Sequence, residues 1–242
     1  MKEIRLGILG GCMNAPIMSV GKSALFHQVA ARDLQERGLR LRVALQAIDD
    51  YQLEGQLESL RFLAERRGCD LLLFQIRPTF LRQASVAIWK DRTDPARPRL
   101  QPSPFYSHDL NAWAPPATLT PTNRFAALDY WLARATGLQK RAQRQIRRQL
   151  EGVVECATRE LARPLMFLGP IYNQSLPGPL GCAWRQTLDR ELSNYGVPVV
   201  DLGELSLPTR PDLFEADRFH LNTVGHGIVG HRLARAIESL GR

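Results

Sequence analysis

The sequence has few cysteines, no long apolar run and fewer acidic than basic residues, and each shortage excludes a class of protein. Its four cysteines are far apart and none forms a CxxC pair, which excludes a disulfide scaffold and a zinc site of paired cysteines. No apolar run approaches the roughly 20 residues of a membrane-spanning helix, and the first residues do not resemble a secretory signal. We therefore expect a globular, cytoplasmic protein with reduced thiols.

Nucleotide and metal motifs are missing as well. The glycines between Gly7 and Gly11 fit neither the G-x-G-x-x-G pattern of dinucleotide-binding loops nor a Walker lysine loop. His226 and His231 are the closest pair of histidines, but five positions in a helix place them on different faces, and no other pair has the spacing of metal ligands. We expect neither a metal nor a cofactor.

The composition that remains is that of one folded domain with an excess of positive charge. Hydrophobic residues make up 44% and charged residues 23% of the 242 residues, which are globular proportions. This length suits one α/β domain, which we expect to span residues 1–242. Lys plus Arg number 32 against 24 Asp plus Glu, so the net charge is +8, and this balance favours an acidic partner or substrate.

Hydrophobic patterning predicts an alternation of strands and helices. Apolar segments of strand length are separated by amphipathic segments; they lie at residues 4–9, 39–45, 70–76, 164–169 and 197–202. Alternation of this kind predicts an α/β fold with a parallel sheet between two layers of helices. The alternating apolar and basic residues of 39–45 indicate a strand near the sheet edge, and the continuous apolar run of 70–76 a central strand.

The helices that flank these strands are predicted from caps and apolar faces. The first is expected from Pro16 to about Arg37, with Gly38 as a left-handed stop. Gly68 is expected to end the second helix, and the last helix is expected at 223–240. Between the third and fourth strands, a segment rich in proline and aromatic residues and a basic helical region form an insertion at about 78–161.

The most informative motif is D-R-F-H-L-N-T-V-G-H, directly before the last helix. Asp217 stands three residues before His220. In this arrangement the carboxylate can hold one ring nitrogen of the histidine and leave the other as a base.

With this motif the chain resembles the SGNH (GDSL-like) hydrolase family, which ends in an Asp-x-x-His block before its last helix. The similarity in element order covers nearly the whole chain. It implies a flavodoxin-like, three-layer sandwich with a five-stranded parallel sheet in the order 2-1-3-4-5. It also implies an enzyme that hydrolyses or transfers the acyl group of an ester or thioester. The family begins with a Gly-Asp-Ser block after its first strand, and Leu9-Gly10-Gly11-Cys12 occupies that place here. The resemblance therefore makes Cys12 the nucleophile, activated by His220 and Asp217.

A cysteine in this position is chemically reasonable. A thiolate is a strong nucleophile, and its pKa falls beside a histidinium or at a helix N-terminus. The helix predicted from Pro16 would place such a terminus about one turn after Cys12. The alternative is a cysteine that packs as a small apolar residue. Ser19 and Ser23 are rival nucleophiles that we rank lower, because both would lie inside that helix.

The groups that would stabilise an oxyanion or bind the substrate depart from the family pattern. After strand two the nearest glycine is Gly55, and after strand three Arg77-Pro78-Thr79-Phe80 replaces the family's Gly-x-Asn-Asp. A guanidinium at Arg77 can bind an oxyanion or carboxylate. We take Gly55, Arg77, Thr79 and Asn173 as candidates, together with the backbone N–H of Cys12.

The basic helical region has two interpretations. It is either a solvated helix face or the docking surface for an acidic acyl carrier protein; nucleic acid is not favoured, because no aromatic residues are interleaved with the basic ones. The residues concerned are Arg134, Lys140, Arg141, Arg144, Arg147 and Arg148. The alternative to an enzyme is an inactive protein of the same fold that binds an acyl or glycan ligand, or an acidic partner through this helix.

Overall fold

The structure is a computed structural model of the chain, and it describes residues 2–16, 19–47, 53–76, 135, 137–170, 188–205, 210–215 and 220–240. The strands are β1 (Lys2–Gly10), β2 (Leu39–Ala47), β3 (Leu71–Gln75), β4 (Leu165–Leu168) and β5 (Val199–Val200). The helices are α1 (Phe26–Glu36), α2 (Leu53–Arg61), α3 (Leu138–Glu155), α4 (188–193) and α5 (Thr223–Leu240). A π turn continues α2 over Phe62–Arg66 and α3 over Cys156–Glu160.

The strands form one parallel sheet in the order β2-β1-β3-β4-β5. The predicted fold class and strand order are confirmed. The edge strand β2 alternates between covered and exposed residues, whereas all five residues of β3 are buried. The difference follows from position, because a central strand of a parallel sheet is covered by helices on both faces.

Two hydrophobic cores lie on opposite faces of the sheet. Leu72 and Phe74 of β3 pack on one face with residues of α2, α3 and α4. Leu71 and Leu73 pack on the other face with residues of α1 and α5. Successive side chains of a strand point to opposite faces, so one short apolar run contributes to both cores.

The first helix is shorter than predicted. It begins at Phe26 and not at Pro16. Gly21 and Leu25 have extended backbone angles, and the helical elements described before α1 are the 3-10 turns Cys12–Asn14 and Lys22–Ala24. Val20 is buried although it lies before the start of the helix. The predicted stop is confirmed, since Gly38 has a φ of 79°, which favours glycine.

The remaining boundaries differ by small amounts. The last helix occupies the predicted 223–240, and Gly68, with a φ of 61°, follows the end of the second helix as expected. The strand predicted at 197–202 pairs only over Val199–Val200. Of the predicted insertion, the structure describes residue 135 and the region from 137 onward. Among the described helices, none is both long and apolar enough to cross a membrane.

Candidate active site

The turn after β1 carries the candidate nucleophile. β1 ends at Gly10, and the 3-10 turn Cys12–Asn14 follows at once, closed by a bond from the Asn14 N–H to the Gly11 carbonyl at 3.0 Å. The turn thus lies at the carboxyl edge of the sheet, where α/β proteins bind their ligands. The side chain of Cys12 is outside the described part of the structure.

Gln75, the last residue of β3, holds this turn. Its Oε1 accepts a hydrogen bond from the Gly11 N–H at 2.7 Å, and its Nε2 donates to Met13 Sδ at 3.0 Å. Gln75 is not among the predicted site residues. The sequence feature that could have identified it is a single amide at the carboxyl end of an apolar strand, because a buried polar group requires hydrogen-bond partners.

Gly10 is the close-contact point of the same turn. A Cβ on Gly10 would lie 2.4 Å from Asn14 Nδ2 and 2.7 Å from Gln75 Oε1. Both amide side chains therefore occupy the space that a larger residue would need. Glycine is required here for close approach and not for an unusual backbone angle.

His220 is fixed by a small antiparallel link directly before α5. Phe214 and Leu221 form an isolated bridge, and the Glu215 N–H donates to the His220 carbonyl at 2.8 Å. Two residues later Asn222 caps α5, with its Oδ1 accepting from the Gly225 N–H at 3.0 Å. His220 itself is only 6% exposed. The histidine of the sequence motif is therefore buried in a constrained segment.

Two more buried histidines connect this segment with the turn after β1. A ring nitrogen of His27 lies 3.5 Å from the Asn14 carbonyl oxygen, and His226 Nδ1 accepts a hydrogen bond from the Phe26 N–H at 3.2 Å. Burial, with smaller contributions from the nearby His27 and His220, lowers the pKa of His226 to about 4. Burial also lowers the pKa of His27. We name His27, His220 and His226 the histidine cluster. Of these, only His220 was predicted to have a role in the site, whereas His27 and His226 were not.

The rival serines do not lie in a helix. Ser19 is in a turn and Ser23 in the 3-10 turn Lys22–Ala24, so the reason for ranking them below Cys12 was wrong. Ser19 Oγ donates a hydrogen bond to Glu215. This bond joins the segment that follows the Cys12 turn to the segment that precedes His220.

The predicted effect of a helix dipole on Cys12 is also wrong. Because α1 begins at Phe26, no α-helix starts about one turn after Cys12 among the residues that the structure describes there. The positive end of a helix acts over about one turn. A lowered pKa of the Cys12 thiol would have to come from a neighbouring charge, such as a protonated histidine.

The other candidate residues are only partly described. Gly55 is the third residue of α2 and is partly buried; the N–H groups of a first helical turn have no acceptor inside the helix. Asp217, Arg77, Thr79 and Asn173 lie outside the described residues. Within the described residues, no group of three or more His, Cys, Asp or Glu side chains is arranged to hold a metal ion.

Two of the remaining cysteines have the character of core residues. Cys69 and Cys156 are buried, and burial raises the pKa of both thiols, to about 11 for Cys156. The negative charges of Asp70, for Cys69, and of Glu160, for Cys156, contribute to this rise in pKa. Both are therefore protonated and poorly nucleophilic near neutral pH. Cys182 lies outside the described residues.

The basic helix α3 has one apolar and one charged face. Ile146, Leu150 and Val153 pack in the core, while Lys140, Arg144 and Arg148 are exposed. Arg147 donates two hydrogen bonds to Glu191 of α4, at 2.9 and 2.8 Å. This arginine joins two helices. Arg134 and the side chain of Arg141 are outside the described part of the structure.

Comparison with known proteins gives a match in structure but not in sequence. No protein-family model matches the chain, and no curated protein matches it. Three similar solved structures are the lipase Lip_vut3 from a goat rumen metagenome, TesA and the esterase EstA from Pseudoalteromonas sp.. Their identities are 13%, 14% and 12%, with TM-scores of 0.60, 0.56 and 0.55. In each case 98% of this chain is covered, with 97%, 99% and 97% of the other chain. The chain therefore has the SGNH hydrolase fold that the resemblance implied.

Proposed function

We propose that this protein is an SGNH-type acyl hydrolase or acyltransferase, acting on an ester or thioester through an acyl-cysteine at Cys12. One observation carries the proposal: the turn of Cys12 and the buried His220 segment are linked through the histidine cluster and by the Ser19–Glu215 hydrogen bond. These links support a role for His220 as the base that acts on the candidate nucleophile. The fold shared with an esterase and a lipase supports the same reaction class.

The proposed reaction has two steps. His220 accepts the thiol proton of Cys12 while Asp217 holds the other ring nitrogen, and the sulfur bonds to the substrate carbonyl carbon. The tetrahedral intermediate collapses as the bond to the leaving group breaks, and His220 returns the proton to the leaving alcohol or thiol. Water then gives a proton to His220 as its oxygen bonds to the acyl carbon, the acyl–sulfur bond breaks, and His220 returns the proton to the Cys12 sulfur as the carboxylic acid leaves. An acceptor alcohol, amine or thiol in place of water would give acyl transfer.

A thioester is the substrate that suits a cysteine best. Exchange of one thiol ester for another changes the free energy little, so the acyl-enzyme forms easily and its acyl group is readily passed on. The negative oxygen of the intermediate needs hydrogen-bond donors. We assign this role to the backbone N–H groups of Cys12 and Gly55. We propose that Arg77, Thr79 and Asn173 line the substrate cleft.

Intact-protein mass spectrometry tests this proposal. The protein is mixed with activated esters and acyl thioesters of increasing chain length, and the acyl adduct is located by peptide mapping. We expect the adduct on Cys12, its loss in Cys12→Ala, and its accumulation in His220→Ala, which lacks the base for deacylation.

The matched controls are Cys69→Ala and Cys156→Ala, which remove buried thiols outside the proposed site and are expected to keep the adduct. Ser19→Ala tests the rival nucleophile: an adduct lost in this variant and kept in Cys12→Ala would move the reaction to Ser19. Absence of an adduct across all chain lengths would sink the enzyme proposal. It would favour an inactive protein of this fold that binds an acyl, glycan or acidic ligand.

A further inference from the structure

The two residues that flank Cys12 in the chain are bonded to one buried side chain, that of Gln75. The amide oxygen of Gln75 accepts the N–H of Gly11, and its nitrogen donates to the sulfur of Met13. Gln75 is 6% exposed and ends the central strand of the sheet. A single planar amide therefore holds the main chain before Cys12 and the side chain after it.

We propose that Gln75 is a positioning residue for the nucleophile. By holding residues 11–13 it fixes the direction in which the side chain of Cys12 leaves the main chain. This inference rests on the proposed role of Cys12. Reacting groups must be held to within about 0.5 Å of their productive position. A buried amide on a rigid strand meets that requirement better than a solvated loop.

The surroundings of the amide support this role. Asn14 and Gln75 together fill the space beside Gly10, and the Asn14 N–H closes the turn onto the Gly11 carbonyl. The Gly11 N–H is used by Gln75 and is therefore not available to a substrate oxygen. This is consistent with the assignment of the oxyanion donor to the next N–H of the turn, that of Cys12.

Gln75→Met tests the proposal with a matched control. Methionine has a similar length and removes both hydrogen bonds. We expect the rate constant for acylation of Cys12 to fall about tenfold with little change in KM, because lost positioning slows the reaction and not binding. Gln149 of α3 is a second buried glutamine, 3% exposed. Gln149→Met makes the same change in another element and should leave acylation unaltered.

Gln75→Glu separates positioning from general packing. A protonated glutamate reproduces both functions of the amide, since its carbonyl oxygen accepts from Gly11 and its hydroxyl donates to Met13. We expect its acylation rate, relative to the native protein, to rise as the pH is lowered. The relative rate of Gln75→Met should stay flat over the same range. This variant also carries the test if Gln75→Met does not fold.

Hydrogen exchange of residues 11–14, followed by mass spectrometry, distinguishes failure of this inference from failure of the proposed function. We expect faster exchange in Gln75→Met than in Gln149→Met at equal folded fraction. If the native protein forms no adduct on Cys12, the proposed function fails. Hydrogen exchange then shows by itself whether Gln75 holds the turn of residues 11–14. The role of Gln75 would be overturned if Gln75→Met had the acylation rate and the hydrogen exchange of the native protein. It would also be overturned if Gln75→Met and Gln149→Met lost acylation rate equally.

Discussion

His226 is neutral in the folded protein. Its Nδ1 accepts the Phe26 N–H, its ring stacks against that of Phe26 at 6.3 Å between centroids, and it is only 4% exposed. A proton on Nδ1 would remove the acceptor and place a charge among apolar groups. Burial of this kind lowers the pKa of a histidine, here from 6.5 to about 4.

Acid should therefore destabilise the protein through His226. Between pH 6.5 and about 4 the unfolded chain binds this proton and the folded chain does not, so stability falls as the pH falls through that window. The full loss is roughly 3 kcal/mol. We expect His226→Gln to lower stability at neutral pH and to flatten its pH dependence, measured by urea unfolding at several pH values.

The exposed His231, which pairs with Asp33 at 3.0 Å, supplies the control. His231→Gln should keep the slope between pH 6.5 and 4, because the hydrogen bond to His231 lowers the pKa of Asp33 from its usual 3.8, so that this pair acts below the window. Part of the slope should also remain in His226→Gln, since the pKa of His27 is lowered by burial too. An unchanged slope in His226→Gln would contradict the assignment.

At the scale of elements, α1 and α5 pack closely at a glycine. A Cβ on Gly230 would lie 2.5 Å from Val29 Cβ and 2.6 Å from the Phe26 carbonyl oxygen. Gly227 lies in the same helix, and a Cβ there meets nothing within 4 Å. A side chain at position 230 would therefore collide with α1, whereas a side chain at position 227 would enter open space.

This contrast makes a paired prediction. Gly230→Ala should destabilise the protein by about 2–4 kcal/mol, because backbone and a core side chain must move to admit the methyl group. Gly227→Ala should stabilise it by about 0.5–1 kcal/mol, since alanine is the better helix former. Thermal and urea unfolding measure both changes. Equal effects of the two substitutions would mean that α5 does not contact α1 in this register.

At the scale of the whole molecule, the basic side chains of α3 fall into two groups: one is paired with a neighbouring helix, and the others are exposed to solvent. Arg147 is joined to Glu191, a side chain only 10% exposed, and the bond to Arg147 lowers the pKa of that carboxyl group. Lys140, Arg144 and Arg148 face solvent and are available to a partner. Docking of an acidic acyl carrier protein stays a prediction, and the exposed residues are the ones that it concerns.

Charge reversal tests this prediction. We expect Arg148→Glu to weaken binding of a purified acidic acyl carrier protein about fivefold and to reduce the salt dependence of binding. Arg235→Glu makes the same change on the exposed face of α5, in the other helical layer, and should have a smaller effect. Fluorescence anisotropy at low and physiological salt measures both. Equal weakening would show attraction by net charge without a docking surface.

Short-range pattern determined the alternation of strands and helices, the two-sided burial of β3, the stop at Gly38 and the bounds of α5, whereas the strand order came from the resemblance to a family fold. Apolar period, caps and left-handed glycines are properties of neighbouring residues, so they can be predicted from the sequence alone. The same holds for the place of Cys12 after β1 and of His220 before α5. Their roles, and those of Asp217, Gly55, Arg77, Thr79 and Asn173, stay predictions.

Only the tertiary structure decided where α1 begins and what surrounds the site. The extended backbone at Gly21 and Leu25 delays α1, and Val20 is buried before it, which the local pattern did not predict. Gln75 reaches Gly11 across 64 positions, and Phe26 reaches His226 across 200. No local pattern specifies such pairs, because they form only when parallel strands and packed helices bring distant residues together. For the same reason the sequence showed a basic helix, but not that one of its arginines is already bound.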